Sequence, residues 1–413
     1  MAETGRSDDM RKRNRKRILT VLRRNGSVSR TEICARTGLS ASTVSAITSE
    51  LLEEGVISRA ADILSTQPGR GRPQVRLALN PKAGLVVSVV LQVDAISVAI
   101  SDYAGNRIAA RDRTFSARQA QSDEFAAAMI SMVRAALEET DSTGTPLWRI
   151  RLGVQGVTDV DGGAMLWSPI TRHADLPFKR QLEDVFDAPV NVSNDCSMIA
   201  RALNWREPER FGQNYAAILL SHGIGMGLML NGQLFSGIRS SGTEFGHLSH
   251  MPDGALCRCG RRGCIEAYAG DYAIFRRAHT VGGDTAPRND IGDDQMQRVF
   301  QAARAGDANA LAAYRDAGRA LGTGLADIFA LIDPLPIAFV GKGTKAFEFI
   351  EPSLRAAVAD TKVAIGAEDV EIYCFPDERP LIEEGCTVTA LLEVDALLAR
   401  AAPKLSGALN DAL

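Results

Sequence analysis

Cys257, Cys259 and Cys264 fall within eight residues of one another, separated by glycines in Cys257-Arg-Cys-Gly-Arg-Arg-Gly263-Cys264-Ile-Glu266. Three thiolates so placed can wrap one ion, and His247, ten residues upstream in Glu244-Phe-Gly-His247, can complete a tetrahedron. Cys₃His is a closed structural zinc set, with sulfur at about 2.3 Å and nitrogen at about 2.0 Å from the metal. Zn²⁺ is therefore the expected cofactor, held by His247, Cys257, Cys259 and Cys264. His250 is a second imidazole, but the ten-residue spacing favours His247. Two carboxylates flank this knot, Glu244 and Glu266. An imidazole fixed to metal through one nitrogen keeps the other free to donate. Carboxylates accept paired hydrogen bonds from vicinal hydroxyls, so the loop suits a polyol. The same glutamates would also suit a solvated loop, and spacing alone does not separate the two.

These residues sit in a chain of 413 residues, long enough for two or three domains. A charged fraction of 23% and an apolar fraction of 45% are ordinary for a globular protein. No apolar run reaches about 18 residues, and the first thirty residues are highly charged with no apolar signal core. A cytoplasmic location without membrane engagement is expected. The net charge of −3 conceals an asymmetry: residues 1–80 hold 15 Lys+Arg against 8 Asp+Glu, and the remainder 32 against 42. A basic N-terminal segment on an acidic body is the pattern of an attached DNA-binding module.

The first eighty residues have the elements for that role. Met10 to Arg24 places Ile18, Leu19 and Leu22 at helical spacing, and Gly26 stops the run. Ser29-Arg-Thr-Glu32 is a capping box opening a second helix that ends at Gly38. Ser40 is the expected N-cap of a third helix, with Val44, Ile47, Leu51 and Leu52 as its inner stripe. Ser40, Ser42, Thr43, Ser45 and Ser49 then form a face of small residues, which lets a helix enter a major groove. Val56 to Ser58 and Val75 to Leu79 read as strands around Gly69-Arg-Gly-Arg-Pro73. Such a wing could press Arg70 and Arg72 into a narrow, A·T-rich minor groove.

From residue 81 the pattern changes to strand meanders followed by helices, twice over, which suggests two α/β lobes and a cleft. The run Gly223-Ile-Gly-Met-Gly227 would be weak support for a phosphate cradle, and glycines at a tight strand turn fit as well.

The order Asn194-Asp195, Gly223-Ile-Gly-Met-Gly227, Asn231-Gly232, Glu244-Phe-Gly-His247 and Cys257-x-Cys-Gly-x-x-Gly-Cys264-x-Glu266 resembles the ROK family of repressors and sugar kinases. With a winged helix in front, the chain is similar to that family's xylose and N-acetylglucosamine repressor type over residues 10–400. The resemblance implies an α/β fold class: a winged helix-turn-helix over 1–80, then a two-lobed actin-like or hexokinase-like (ribonuclease H-like) domain. Lobe 1 would span 81–193 and be closed by C-terminal helices over about 385–413, with lobe 2 over 194–384. Gly156, Asn194, Asp195, Glu244, His247 and Glu266 match the family's sugar-contacting positions, and Asp195 matches the kinase general base.

The departures bear on activity. Family kinases open their first lobe with Asp-x-Gly-Gly-Thr, whereas Val90-Leu-Gln-Val-Asp94 stands here. Ser221-His222 replaces Gly-Thr, and Thr243 stands where a Gly commonly precedes the Glu. The expectation is a non-enzymatic, sugar-responsive repressor of carbohydrate genes whose pocket takes a sugar or sugar phosphate. Its DNA partner would be an A·T-rich inverted repeat read by a homodimer or larger oligomer. A bifunctional sugar kinase, or a regulator sensing a phosphotransfer protein, are the alternatives.

Overall fold

A computed structural model of the chain describes residues 2–60, 75–288, 291–360 and 365–400. The N-terminal unit comprises α1 (Ala2–Asn25), β1 (Val28–Ser29), α2 (Arg30–Thr37), α3 (Ala41–Glu53), β2 (Ile57–Arg59) and β3 (Arg76–Leu79). Helix α1 begins well before Met10, because its charged leading residues contain no breaker other than Gly5. Ser29 and Glu32 form the reciprocal capping box of α2, and Gly38 ends it in the left-handed region at φ 68°. Ser40 accepts from the Thr43 amide at 3.1 Å and starts α3. The inner face of α3 is Val44, Ile47, Thr48 and Leu51. Leu52, expected in that stripe, is only half-buried, because the helical period puts Thr48 on the inner line instead. The Thr48 hydroxyl is satisfied there by the Val44 carbonyl at 2.8 Å. β3 pairs antiparallel with both β1 and β2. Arg70 and Arg72 lie outside the described residues.

The first large sheet contains β4 (Leu85–Leu91), β5 (Ala95–Asp102), β6 (Arg107–Thr114), β7 (Leu147–Val154) and β10 (Val190–Asn194). Helix α4 (Ser122–Glu138), the hairpin β8 (Val157–Thr158) and β9 (Met165–Trp167), and α5 (Phe178–Glu183) connect its strands. Strand order is β10-β7-β4-β5-β6. β4 is buried along its whole length, which explains its nearly unbroken apolar run between parallel β7 and antiparallel β5.

The second sheet follows α6 (Asp195–Arg206) and α7 (Pro208–Phe211). It comprises β11 (Tyr215–Leu220), β12 (Ile224–Leu230), β13 (Gln233–Leu234), β14 (Ile337–Val340) and β15 (Ile372–Phe375), in order β13-β12-β11-β14-β15. Both sheets thus carry their first strand in the centre, an antiparallel meander on one side and two parallel strands on the other. Helices α8 (Glu266–Ala269), α9 (Asp271–Ala278), α10 (Asp293–Arg304), α11 (Ala308–Ile332) and α12 (Phe347–Ala359) cover the second sheet.

The closing helix α13 (Arg379–Arg400) starts earlier than the expected 385, and residues 401–413 lie outside the described set. It packs on α6, β4 and β7, and on α1 near its end. A Cβ on Gly385 would sit 2.0 Å from the Met198 carbonyl, so only glycine allows α13 and α6 to approach this closely. Leu391, Val394 and Leu398 of α13 join the same apolar cluster as Ile18, Leu19, Leu22 and Val44 of the N-terminal unit. No helix among the described residues is long and apolar enough to cross a membrane.

Candidate metal centre and ligand pocket

The loop between β13 and α8 carries the sulfurs. His247 ends a 3₁₀ turn over Phe245–His247, and the loop folds back through isolated bridges between Ser249 and Cys264 and between Leu256 and Arg262. Gly263 adopts φ 77°, and a Cβ there would overlap the Met251 carbonyl at 1.7 Å. The ligand atoms of His247, Cys257, Cys259 and Cys264 all lie within 4.8 Å of one another. Cys257 Sγ is 3.7 Å from His247 Nδ1, and Cys259 Sγ is 3.7 Å from Cys264 Sγ. Two sulfurs on one tetrahedral zinc at about 2.3 Å would stand about 3.7 Å apart, so the donor set fits that ion. The ring atom in contact with Cys257 is Nδ1, and ligation through it would leave His247 Nε2 for another partner. His250 does not join the cluster; its ring packs edge-on against Tyr268 at 5.0 Å.

Glu266 opens α8 two residues after the last cysteine. Its carboxylate accepts from the Ile224 amide at 3.3 Å, and Cys257 Sγ and the Tyr272 hydroxyl lie 3.8 and 3.5 Å away. Asn194 caps α6 through the Ser197 amide at 3.0 Å and donates to the Gly156 carbonyl at 2.9 Å. Asp195, the first residue of α6, accepts from the Cys196 amide at 2.8 Å. Burial pushes its carboxyl up to about 7, against the Cys196 bond and with like charge from Glu378 and Glu244.

Gly156, Asn194, Asp195, Glu244, His247 and Glu266 all line one cavity, together with Trp167 and Thr243. Glu244 and Trp167 are its exposed members, whereas Asp195 and Glu266 are buried. Trp167 was not anticipated; its ring stands edge-on to His247 at 6.2 Å. Thr243 holds φ 56°, the conformation that favours the glycine usual before this Glu, and its hydroxyl donates to the Met226 carbonyl at 2.7 Å. Gly225 and Gly227 lie inside β12, not in a loop. A Cβ on them would meet Cys196 Sγ at 2.5 Å or the Cys196 carbonyl at 2.1 Å. They let β12 lie against the start of α6, whereas Gly223 sits in the tight turn between β11 and β12, as the strand-turn reading expects.

A second, smaller cavity adjoins the first at Asp195 and is lined by Gln92, Asp94, Ser221, His222, Lys342 and Glu378. Val90 and Leu91 are buried in β4, and Lys342 is engaged with Asp293. Glu378, just before α13, is a pocket residue the sequence reading missed. The Pro376-Asp-Glu-Arg-Pro380 punctuation before an apolar helix was its only signal.

In the N-terminal unit, Ser40, Ser42 and Ser45 are exposed on α3, with Thr43 and Ser49 half-buried at its edges. Arg15 of α1 donates to Glu50 at 3.3 Å and Glu54 at 3.0 Å near the end of α3, and to the Leu398 carbonyl of α13 at 3.1 Å. Arg23 of α1 grips Asp395 of α13 through Nε at 2.6 Å and Nη2 at 2.8 Å, and Tyr103 donates to the same carboxylate at 2.7 Å.

Residues 11–58 match a winged helix-turn-helix DNA-binding family, and residues 86–372 match the ROK family. The xylose repressor of Bacillus subtilis (strain 168) is 25% identical over 350 residues, covering 85% of this chain and 87% of that protein. A crystal structure of a ROK family transcriptional regulator, a homolog of the Escherichia coli MLC protein, superposes with a TM-score of 0.76 at 21% identity, covering 95% of this chain and 99% of its own. A ROK family glucokinase from Streptomyces griseus in complex with glucose and AMPPNP superposes at 0.58 with 24% identity, covering 74% and 99%. The sulfur–imidazole knot, the paired sheets and the match over most of the chain lead to one conclusion: this protein belongs to the ROK family and carries a winged helix-turn-helix in front of its ROK domain.

Proposed function

We propose that the chain is a sugar-responsive DNA-binding transcriptional repressor that binds its sugar without transferring phosphate. One observation carries this reading: α13 runs from the ligand pocket to the DNA-binding unit. Glu378 and Ile382, at its leading end, line the cavity beside Asp195. Asp395 and Leu398, near its far end, hold Arg23 and Arg15 of α1, and Arg15 in turn holds the end of α3. A ligand that favours one arrangement of the pocket over another therefore biases the recognition helix through a single rigid element.

In this reading residues 1–80 bind DNA, residues 81–194 with the C-terminal helix α13 form one lobe, and residues 195–378 form the other. Asn194, Asp195, Glu244 and Glu266 accept or donate hydrogen bonds to sugar hydroxyls, and His247 Nε2 adds a donor. Gly156 lets the cavity wall pack against the backbone after β9: a Cβ there would meet the Trp167 carbonyl at 2.3 Å. Zn²⁺, when bound by His247, Cys257, Cys259 and Cys264, supplies a structural cross-link. Ser40, Ser42, Thr43, Ser45 and Ser49 face the major groove, and Arg70 and Arg72 contact the minor groove. A single winged helix reads few base pairs, so the operator is an inverted repeat read by a homodimer. The absence of an Asp-x-Gly-Gly-Thr loop, with buried Val90 and Leu91 in its place, supports a sensor over a kinase.

Calorimetric titration of the zinc-loaded chain with xylose, glucose, N-acetylglucosamine and Mg–ATP tests this. Sugar binds, ATP gives no heat of binding, and no sugar-dependent ATP turnover is detected. Sugar phosphorylation lost in Asp195→Ala would replace the repressor-only reading with a kinase.

A further inference from the structure

We propose that Glu378 is a ligand-contacting residue which, with Asp195, makes the pocket select a sugar bearing a free hydroxyl over the corresponding phosphate ester. The proposal rests on the reading of the larger cavity as a sugar site. The smaller cavity meets the larger at Asp195 and would receive whatever group projects past that residue.

The lining charge points the same way. Asp94, Asp195 and Glu378 contribute three carboxyl groups to this small space. Glu378 is 8% exposed, and its Oε2 has no hydrogen-bond partner among the described residues. Its other oxygen is only 3.4 Å from the Ser221 hydroxyl, a weak contact. A buried carboxyl oxygen without a partner is costly, and a ligand hydroxyl is the group that would satisfy it. Burial pushes the Glu378 carboxyl up, as it does that of Asp195, because neither carboxylate is well solvated there.

Two of the nearby cations already have partners: Lys342 is paired with Asp293. Arg258 donates to the His222 and Arg288 carbonyls. Burial, together with Arg118, Arg258 and Lys342, holds the His222 imidazole low, so it enters as a neutral ring. A phosphate dianion placed here would face two buried carboxyls, and like charges juxtaposed in an interface are strongly disfavoured. Glu378 also precedes the first turn of α13, and its carbonyl accepts from the Ile382 amide at 3.0 Å. A hydroxyl bound to its side chain therefore acts directly on the end of that helix.

The test is calorimetric titration of the full zinc-loaded chain with glucose and N-acetylglucosamine and with their 6-phosphates. The wild type is expected to bind the free sugar about tenfold or more tightly than its ester. Glu378→Gln, which keeps the shape and removes the ionisable group, narrows that ratio several-fold; a thermal melt confirms that the variant is folded. Wild-type binding of an ester as tightly as the free sugar overturns the proposal, and so does a Glu378→Gln ratio equal to wild type. Asp195→Ala separates the two levels: if wild type binds a free sugar and this variant does not, the pocket reading stands and the Glu378 results alone decide selectivity. If no free sugar binds the wild type, both readings fall.

Discussion

Asp395→Leu isolates the connection between pocket and DNA-binding unit. Arg23 and Asp395 side chains are 3% and 1% exposed, and the pair is bidentate, with Tyr103 as a third donor. Leucine of similar size leaves the Arg23 guanidinium buried without its counterion and the Tyr103 hydroxyl without its acceptor. Removing one partner of such a buried pair costs about 3–5 kcal/mol. At about 1.4 kcal/mol per factor of ten, the docking of α1 on α13 shifts by roughly a hundredfold to a few thousandfold. The pocket residues are untouched, so sugar affinity in titration calorimetry stays within about twofold. DNA affinity, followed by fluorescence anisotropy on duplex selected with the full chain, ceases to change with sugar, and the α1 amides exchange faster with deuterium. The double variant Arg23→Met/Asp395→Leu removes both charges and is expected to recover much of the docking, because replacing a buried pair by apolar residues is often neutral or stabilising. A single Asp395→Leu variant that keeps wild-type exchange in α1 and a full sugar response would refute the role given to α13.

Purified protein should carry about one zinc per chain by elemental analysis, and Cys257→Ser or Cys264→Ser should lose it and weaken sugar binding, because the loop carrying His247 and Glu266 is then unpinned. Full sugar affinity in metal-free protein would contradict this. Arg70→Ala with Arg72→Ala should reduce the slope of log affinity against log salt by about 1.8, two phosphate neutralisations' worth, and an unchanged slope would move those side chains off the DNA. Asp195 has an ordinary value of 3.8 and a folded value of about 7, so the folded chain binds the extra proton between them. Its contribution to stability is full below about 4 and is lost as pH rises through 7. Asp195→Asn should therefore melt higher than wild type at pH 8 and show a flatter melting profile between pH 4 and 7. An Asn variant that is less stable than wild type at pH 8 would contradict the assigned burial.

Local chemistry made much of this legible from sequence. The capping box at Ser29 and Glu32, the Ser40 cap and the alternation of strands are signals that act within a few residues, and the helices and strands follow them. The sulfur–imidazole spacing identified the four atoms that the fold gathers within 4.8 Å. Long-range packing was not legible. Gly225 and Gly227 are required by contact with Cys196, nearly thirty residues away, and no local pattern distinguishes that from a phosphate loop. Leu52 was misplaced because Thr48 satisfies its hydroxyl inside the helix and so can take the buried line. Glu378 and Asp395 acquire meaning only when α13 crosses from one cavity to α1, a path of about twenty residues that composition does not report.

The central claim is that sugar in the pocket sets the affinity for DNA. Its most direct test is a DNA-binding titration of wild type and Asp195→Ala, each with and without saturating xylose, glucose or N-acetylglucosamine, on duplex enriched by selection with the full chain. The account predicts that one of these sugars lowers wild-type affinity by about tenfold or more, while Asp195→Ala binds the duplex nearly as tightly as the sugar-free wild type and does not respond. Wild-type affinity unchanged by a sugar that calorimetry shows to be bound, or a full response retained in Asp195→Ala, would contradict it.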